Sequence, residues 1–154
     1  AEGMPTAAAA ALARAVGDAR LVCTTFDSAQ RMAATGVPVY MYNFDIPVPA
    51  TVVPPGLFLG ASHGSELTFV FGTSPLFAVD PQGKATSDLI QRYWTNFART
   101  GDPNGGSDPT WPAFTASANV RMKLALQPVT VTDFHKDECK FWQNVYKLQF
   151  PPAP

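Results

Sequence analysis

Apolar residues along this chain fall into short runs separated by proline and glycine, and two stretches carry a clear periodicity. From Thr86 onward, Leu89, Ile90, Tyr93, Trp94 and Phe97 recur at helical spacing, and Gly101 follows the last turn. This predicts a helix capped by Thr86 whose wide aromatic stripe faces something large. The run Val37 to Phe44, VPVYMYNF, alternates and is dense in β-branched and aromatic residues, which predicts a strand buried on at least one face. The alanine-rich stretch from Thr6 to Val16 predicts a short helix closed by Gly17 in a left-handed conformation. Asp27 or Ser28 is placed to cap a second short helix through Ala34, with Thr35 and Gly36 breaking the pattern. A further strand over Val120 to Leu126, a last helix from near Lys136 to Leu148 and a disordered tail from Pro151 to Pro154 complete the pattern.

Between Pro47 and Gly64 the chain passes four prolines and three glycines, giving a long connection that holds the apolar run Leu57, Phe58 and Leu59. Four helices and only two or three strands are too few to close a doubly wound sheet, which usually needs about five or more strands. The two firm strands are therefore expected to belong to a sheet whose other strands lie outside this chain.

A hydrophobic content of 46% with 15% charged residues is that of a globular domain. A formal net charge of -1 with no long run of one sign leaves no electrostatic footprint for nucleic acid or for an acidic membrane surface. No stretch reaches the roughly 18 uninterrupted apolar residues of a membrane span, so none is expected. The alanine-rich start lacks a basic leader and is interrupted by Arg14, so it reads as a helix, with any export signal encoded upstream. The two cysteines, Cys23 and Cys139, lack the paired short spacings of a zinc site or a redox motif, and neither a metal nor another cofactor is expected.

Two histidines are available as general bases. His135 lies in Asp133-Phe134-His135-Lys136-Asp137-Glu138, which reads as a charged, solvated helix start. His63 lies in Gly60-Ala61-Ser62-His63-Gly64-Ser65-Glu66-Leu67, where small residues permit close approach of backbone and substrate, and a carboxylate follows three positions on. The first five of these residues also match G-x-S-x-G, the nucleophile elbow of α/β-hydrolases. An elbow needs a buried strand leading into the serine and a glycine-rich oxyanion loop upstream, whereas a proline-rich loop leads into Ser62. Ser62 is therefore not assigned as a nucleophile.

The segment Gly60 to Leu67, followed by Phe69-Val70-Phe71-Gly72, resembles the catalytic-histidine motif of type-B carboxylesterases, para-nitrobenzyl esterases and cholinesterases. Val37 to Phe44 resembles the family strand before it. Tyr93-Trp94-Thr95-Asn96-Phe97-Ala98-Arg99-Thr100-Gly101-Asp102-Pro103-Asn104 and Trp111-Pro112-Ala113-Phe114 are similar to the segments that follow. Four motifs in the family's order are more specific than any one of them.

The resemblance implies an α/β class chain: the C-terminal portion of an α/β-hydrolase fold, a mostly parallel central sheet flanked by helices, with the sheet incomplete in this chain alone. Residues 1–150 would be the C-terminal part of one catalytic domain. It further implies a serine carboxylic-ester hydrolase in which His63 takes the proton from a serine and returns it to the leaving alcohol. Glu66 then supports the active-site hydrogen-bond network, and Leu57, Phe58 and Leu59 line the substrate pocket. The serine, acid and oxyanion loop are missing here, so they are expected on an N-terminal portion or a companion polypeptide, with this chain inactive alone. Cys23 and Cys139 match positions that cholinesterases join by a disulfide, which suits a secreted or periplasmic enzyme. Pro54-Pro55-Gly56 and the apolar run replace the tryptophan-rich approach of true cholinesterases, which favours a broad carboxylesterase over a choline-specific one. The alternative from another class is a cholinesterase-like adhesion or scaffold protein that keeps the fold without the nucleophile.

Overall fold

The computed structural model describes residues 7–49, 60–74, 77, 80–115 and 117–149. These hold five α-helices, a π-helical turn and three strands. The apolar run Leu57, Phe58, Leu59 and the tail Pro151 to Pro154 lie outside the described residues. The chain divides into two compact units: one from the described residues of Tyr40–Ala113 and Arg121–Val131, the other from those of Pro5–Val39, Phe114–Val120 and Thr132–Pro154.

The first unit is organised by the long helix α4 (Pro81–Thr100). Asp80 caps it by accepting the Gly83 amide at 3.0 Å, Pro81 occupies the first turn, and Gly101 ends it with φ 77°, a conformation that costs other residues a clash at Cβ. Thr86, the expected cap, lies inside the helix instead. Its buried hydroxyl donates to the Gln82 carbonyl at 2.9 Å and lies 3.1 Å from that of Leu126. The Asp80-Pro81 pair is the stronger start signal, because it satisfies one orphan amide and presents no proton at another.

Against this helix lies a mixed sheet in the order β1-β2-β3. Strand β1 (Tyr42–Phe44) pairs parallel with β2 (Arg121–Leu124), Tyr42 opposite Met122. β2 pairs antiparallel with β3 (Val129–Val131), Arg121 opposite Val131. Both expected strands are shorter than the sequence pattern suggested. Before β1, the Met41 carbonyl is shared between the Met122 amide at 2.9 Å and the Trp111 indole nitrogen at 3.0 Å, so this extended chain is held partly by a side chain. β3 carried no legible pattern, being three residues long and half exposed.

The core of this unit is Leu89, Ile90, Tyr93, Trp111, Met122 and Leu124, with Phe44, Phe69, Val70 and Trp94 packed against it. The aromatic stripe of α4 thus meets the sheet and the loop bearing Trp111, whose ring lies 5.3 Å from Tyr93 and 5.7 Å from Trp94. Tyr93 donates to the Pro109 carbonyl at 2.6 Å.

In the second unit, helix α1 (Ala7–Gly17) does not stop at Gly17, which keeps a right-handed φ of -60°. The chain continues through a π-helical turn (Asp18–Val22) into α2 (Cys23–Ala33). The Cys23 amide bonds the Asp18 carbonyl, so helical pairing persists and no orphan carbonyl calls for a left-handed stop. That stop comes at Gly36, φ 85°, after α2. Helix α5 (Lys136–Gln149) packs on the π turn and on α2, joined there by the disulfide Cys23–Cys139, both sulfur-bearing residues fully buried. The pairing that the resemblance implied is therefore present.

Two outcomes follow. The crosslink closes a separation of 116 residues, so a Cys23→Ala/Cys139→Ala variant should lose about 4–5 kcal/mol of unfolding free energy in urea titration. Burial, assisted by the nearby Asp108 charge and opposed by Arg92, pushes the Tyr93 phenol from 10.0 to about 12. Because the folded value stands above the unfolded one, this stability is present below pH 10.0 and is lost as pH climbs to about 12. Absorbance titration of tyrosinate should show a late-ionising component, absent from a Tyr93→Phe variant, that appears together with loss of structure.

Candidate functional site

The His63 turn is shaped by two glycines in conformations that favour glycine, Gly60 with φ 58° and Gly64 with φ 87°. Its entry is tied by the Val48 amide to the Gly60 carbonyl at 2.8 Å. The Ser62 carbonyl accepts both the Ser65 amide, at 3.0 Å, and the Ser65 hydroxyl, at 2.6 Å. The Gly64 carbonyl accepts the Leu67 amide at 3.2 Å, which starts the short helix α3 (Leu67–Val70). This helix was not read in the sequence, because four residues are too few to display a period.

His63 projects from this turn exposed, and none of the described residues hydrogen-bonds its ring. Glu66, half-buried at the start of α3, does not cap the helix. Its charge acts on Tyr42, whose phenol is pushed up first by burial and then by Glu66. Beside the turn, Phe44, Ile46, Val48, Ser65, Phe69 and Phe77 line a cavity of about 210 Å³ whose wall is mainly apolar. Ser62 does not form an elbow: no strand leads into it among the described residues, and its backbone is not in a strained positive-φ conformation.

His135 is not the solvated residue that its charged neighbours suggested. Its Nδ1 lies 2.6 Å from Asp18 Oδ1, with the two side chains 27% and 5% exposed, and its ring stacks on Phe134 at 4.2 Å. His135 stands just before α5 with a left-handed φ of 51°. Asp18 sits 117 residues away, a separation at which no sequence pattern signals a pair. A buried carboxylate requires such a partner.

The remaining motif residues build the frame around Trp111. Asp102 Oδ1 accepts the Asn104 amide at 2.9 Å and the Asn104 side-chain nitrogen at 2.7 Å, which holds the Asp102 carboxyl below its usual range. Asn104 in turn donates to the Trp111 carbonyl at 2.9 Å and accepts its amide at 2.7 Å. Arg92 grips Asp108 through two bonds of 2.8 Å, lowering the Asp108 carboxyl as well. Among the described residues no cluster of histidine, cysteine and carboxylate side chains is arranged to hold a metal ion.

Comparison with known proteins assigns this order of strand, glycine-bounded histidine turn, short helix, long aromatic helix and tryptophan loop to a family. The model of the carboxylesterase family matches residues 2–142, and the chain belongs to that family. Its fold class is accordingly the α/β-hydrolase fold, of which the three-stranded mixed sheet and its helices form a part. Among its relatives, the acetylcholinesterase of Gallus gallus is 39% identical over 135 residues, covering 82% of this chain and 17% of that protein. Carboxylesterase 4A of Bos taurus is 36% identical over 132 residues, covering 84% of this chain and 24% of the relative. Carboxylesterase 5A of Felis catus is 35% identical over 136 residues, 84% of this chain and 25% of the relative. The chain therefore spans about a quarter or less of the length of these relatives.

The allocation of the two histidines is open to a direct check. Replacing His135 by Ala strands the buried Asp18 carboxylate without its partner, and should cost about 1–3 kcal/mol of stability in thermal or urea unfolding.

Proposed function

We propose that this chain supplies the general base of a serine carboxylic-ester hydrolase. The single observation that carries the proposal is an exposed imidazole, His63, on a hydrogen-bonded, glycine-bounded turn in a chain of the carboxylesterase family. A serine hydroxyl is a weak nucleophile until a neighbouring base accepts its proton, and the base must be oriented by an acid. Among the described residues nothing hydrogen-bonds the His63 ring, which leaves it able to receive both contacts. In this reading it removes the serine proton during acylation, delivers it to the departing alcohol, and repeats the transfer with water during deacylation.

The serine, the acid and the oxyanion donors would come from polypeptide beyond these residues, as an N-terminal portion or a companion chain, and this chain would be inactive alone. Three features support that partnership. Leu67 and Phe71, at either end of α3, are 51% and 69% exposed. Phe97 on α4 is 48% exposed. Strand β1 has no neighbour on its outer edge among the described residues. Exposed apolar side chains and an open strand edge suit a covering partner better than water.

Glu66 would take its place in the polar network behind His63. The apolar cavity beside the turn fits the hydrocarbon part of an ester, and the family resemblance implies a pocket-lining role for Leu57, Phe58 and Leu59. A broad carboxylesterase, of the para-nitrobenzyl esterase kind, accords with this apolar wall. The buried disulfide supports a secreted or periplasmic location. No described helix is long and apolar enough to cross a membrane.

A fluorophosphonate probe of the hydrolase, resolved on a reducing denaturing gel beside a His63→Ala variant, tests the proposal. The expected result is labelling at a serine outside this chain that disappears in the variant, with ester turnover falling at least about a thousandfold. Label at Ser62 would transfer the nucleophile to this chain and overturn the assignment. A folded protein that takes no label would instead be a non-catalytic scaffold.

A further inference from the structure

Ser87, on the inward face of α4, is 0% exposed, and its hydroxyl donates to the Phe69 carbonyl at 2.6 Å while accepting from the Gln91 side-chain amide at 3.1 Å. A hydroxyl within a helix commonly bonds back to the carbonyl four residues earlier, as Thr95 does on this same helix. Ser87 reaches across to α3 instead.

What it reaches is the far end of a ladder that begins at the histidine turn. The Ser62 carbonyl holds Ser65, the Gly64 carbonyl holds Leu67, and the Glu66 carbonyl accepts the amides of Phe69 and Val70, each at 2.9 Å. A helix of four residues has no stability of its own, so its orientation has to be imposed by its neighbours. Phe69 provides two such attachments. Its ring packs edge-on against Phe44 at 5.2 Å and Phe77 at 5.1 Å, contacts that resist removal but tolerate rotation. Its carbonyl is held by Ser87, a directional bond that sets the angle of the segment. Gly72, φ 64°, completes the arrangement: a Cβ there would stand 2.9 Å from Gln91 Nε2 and push that amide off Ser87.

We infer that Ser87, oriented by Gln91, is a positioning residue for His63, fixing the pitch of α3 and with it the direction in which the imidazole is presented. The inference rests on the reading of His63 as the general base. Polar support of this kind acts on turnover, since a displacement of about 1 Å at a reacting group can lower the rate about a hundredfold.

The test uses the complete hydrolase that contains this chain, with Ser87→Ala and Gln91→Leu compared against Ile90→Val, a core substitution on the same helix whose side chain makes none of the ladder's hydrogen bonds. Ser87→Ala should lower kcat between about tenfold and about a hundredfold with KM nearly unchanged. Gln91→Leu should lower it less, and Ile90→Val should leave kcat within about twofold at a comparable loss of melting temperature. The His63 ring proton resonances should move in Ser87→Ala and not in Ile90→Val. If Ser87→Ala fails to fold, Gln91→Leu carries the comparison. A folded Ser87→Ala or Gln91→Leu enzyme matching the control in kcat and in His63 resonances overturns the positioning role. His63→Ala, run alongside, separates the two ideas: if it retains full turnover, the assignment of His63 falls first and this inference with it.

Discussion

The first unit depends on the seating of one indole. Trp111 donates its buried ring N–H to the Met41 carbonyl at 3.0 Å, just where the chain enters β1, and its ring meets Tyr42, Tyr93 and Trp94. An indole buried this deeply needs a partner for its nitrogen, and aromatic edge contacts add about 0.5–1.5 kcal/mol each beyond the burial itself. Helix, strand and loop therefore share a single anchor. The loop residues Asp102 and Asn104 exist in this arrangement to hold the Trp111 backbone, and Arg92 with Asp108 ties the same loop to α4. Residues that resemble a functional signature are here a frame.

From that anchor the route to the histidine turn is short. α4 bears both the aromatic face that clasps Trp111 and the serine that clasps α3. The same helix thus connects the tryptophan loop, the parallel strand pair and the short helix that follows the histidine turn. The second unit is held by different means: a buried disulfide, a carboxylate paired with a half-buried imidazole, and the Tyr146 hydroxyl bonded to the Ala19 carbonyl. All three join α5, or the residue just before it, to the π turn or to the cysteine that directly follows it. Asp18, the first residue of the π-helical turn, is buried there, and its pairing with His135 makes that histidine structural.

Long-period signals were legible. The aromatic stripe of α4, the closing role of Gly101 and the last helix are set by residues within one or two turns of one another, and the C-terminal end of α4 and both bounds of the last helix lie close to those of the pattern. Where the pattern was short, tertiary contacts ruled. The run Val37 to Phe44 has strand character throughout, yet only Tyr42–Phe44 pairs in the sheet. Thr86 has the chemistry of a cap but lies one and a half turns inside, because Asp80 and Pro81 make the better start. Gly17 could close a helix, but glycine permits a left-handed turn without demanding one.

The sequence by itself determined the family, the order of its motifs and the glycines that bound the histidine turn, since each of these is written in residues that lie close together in the chain. Only the tertiary structure decided that His135 pairs with Asp18, that Glu66 acts on Tyr42, that the Tyr93 hydroxyl is driven up by burial, and that Ser87 leaves its own helix for Phe69. The physical reason is common to all four. A hydrogen bond or a charge acts over a few ångströms, and the partners that came within that range are separated by stretches of chain across which no periodicity carries information.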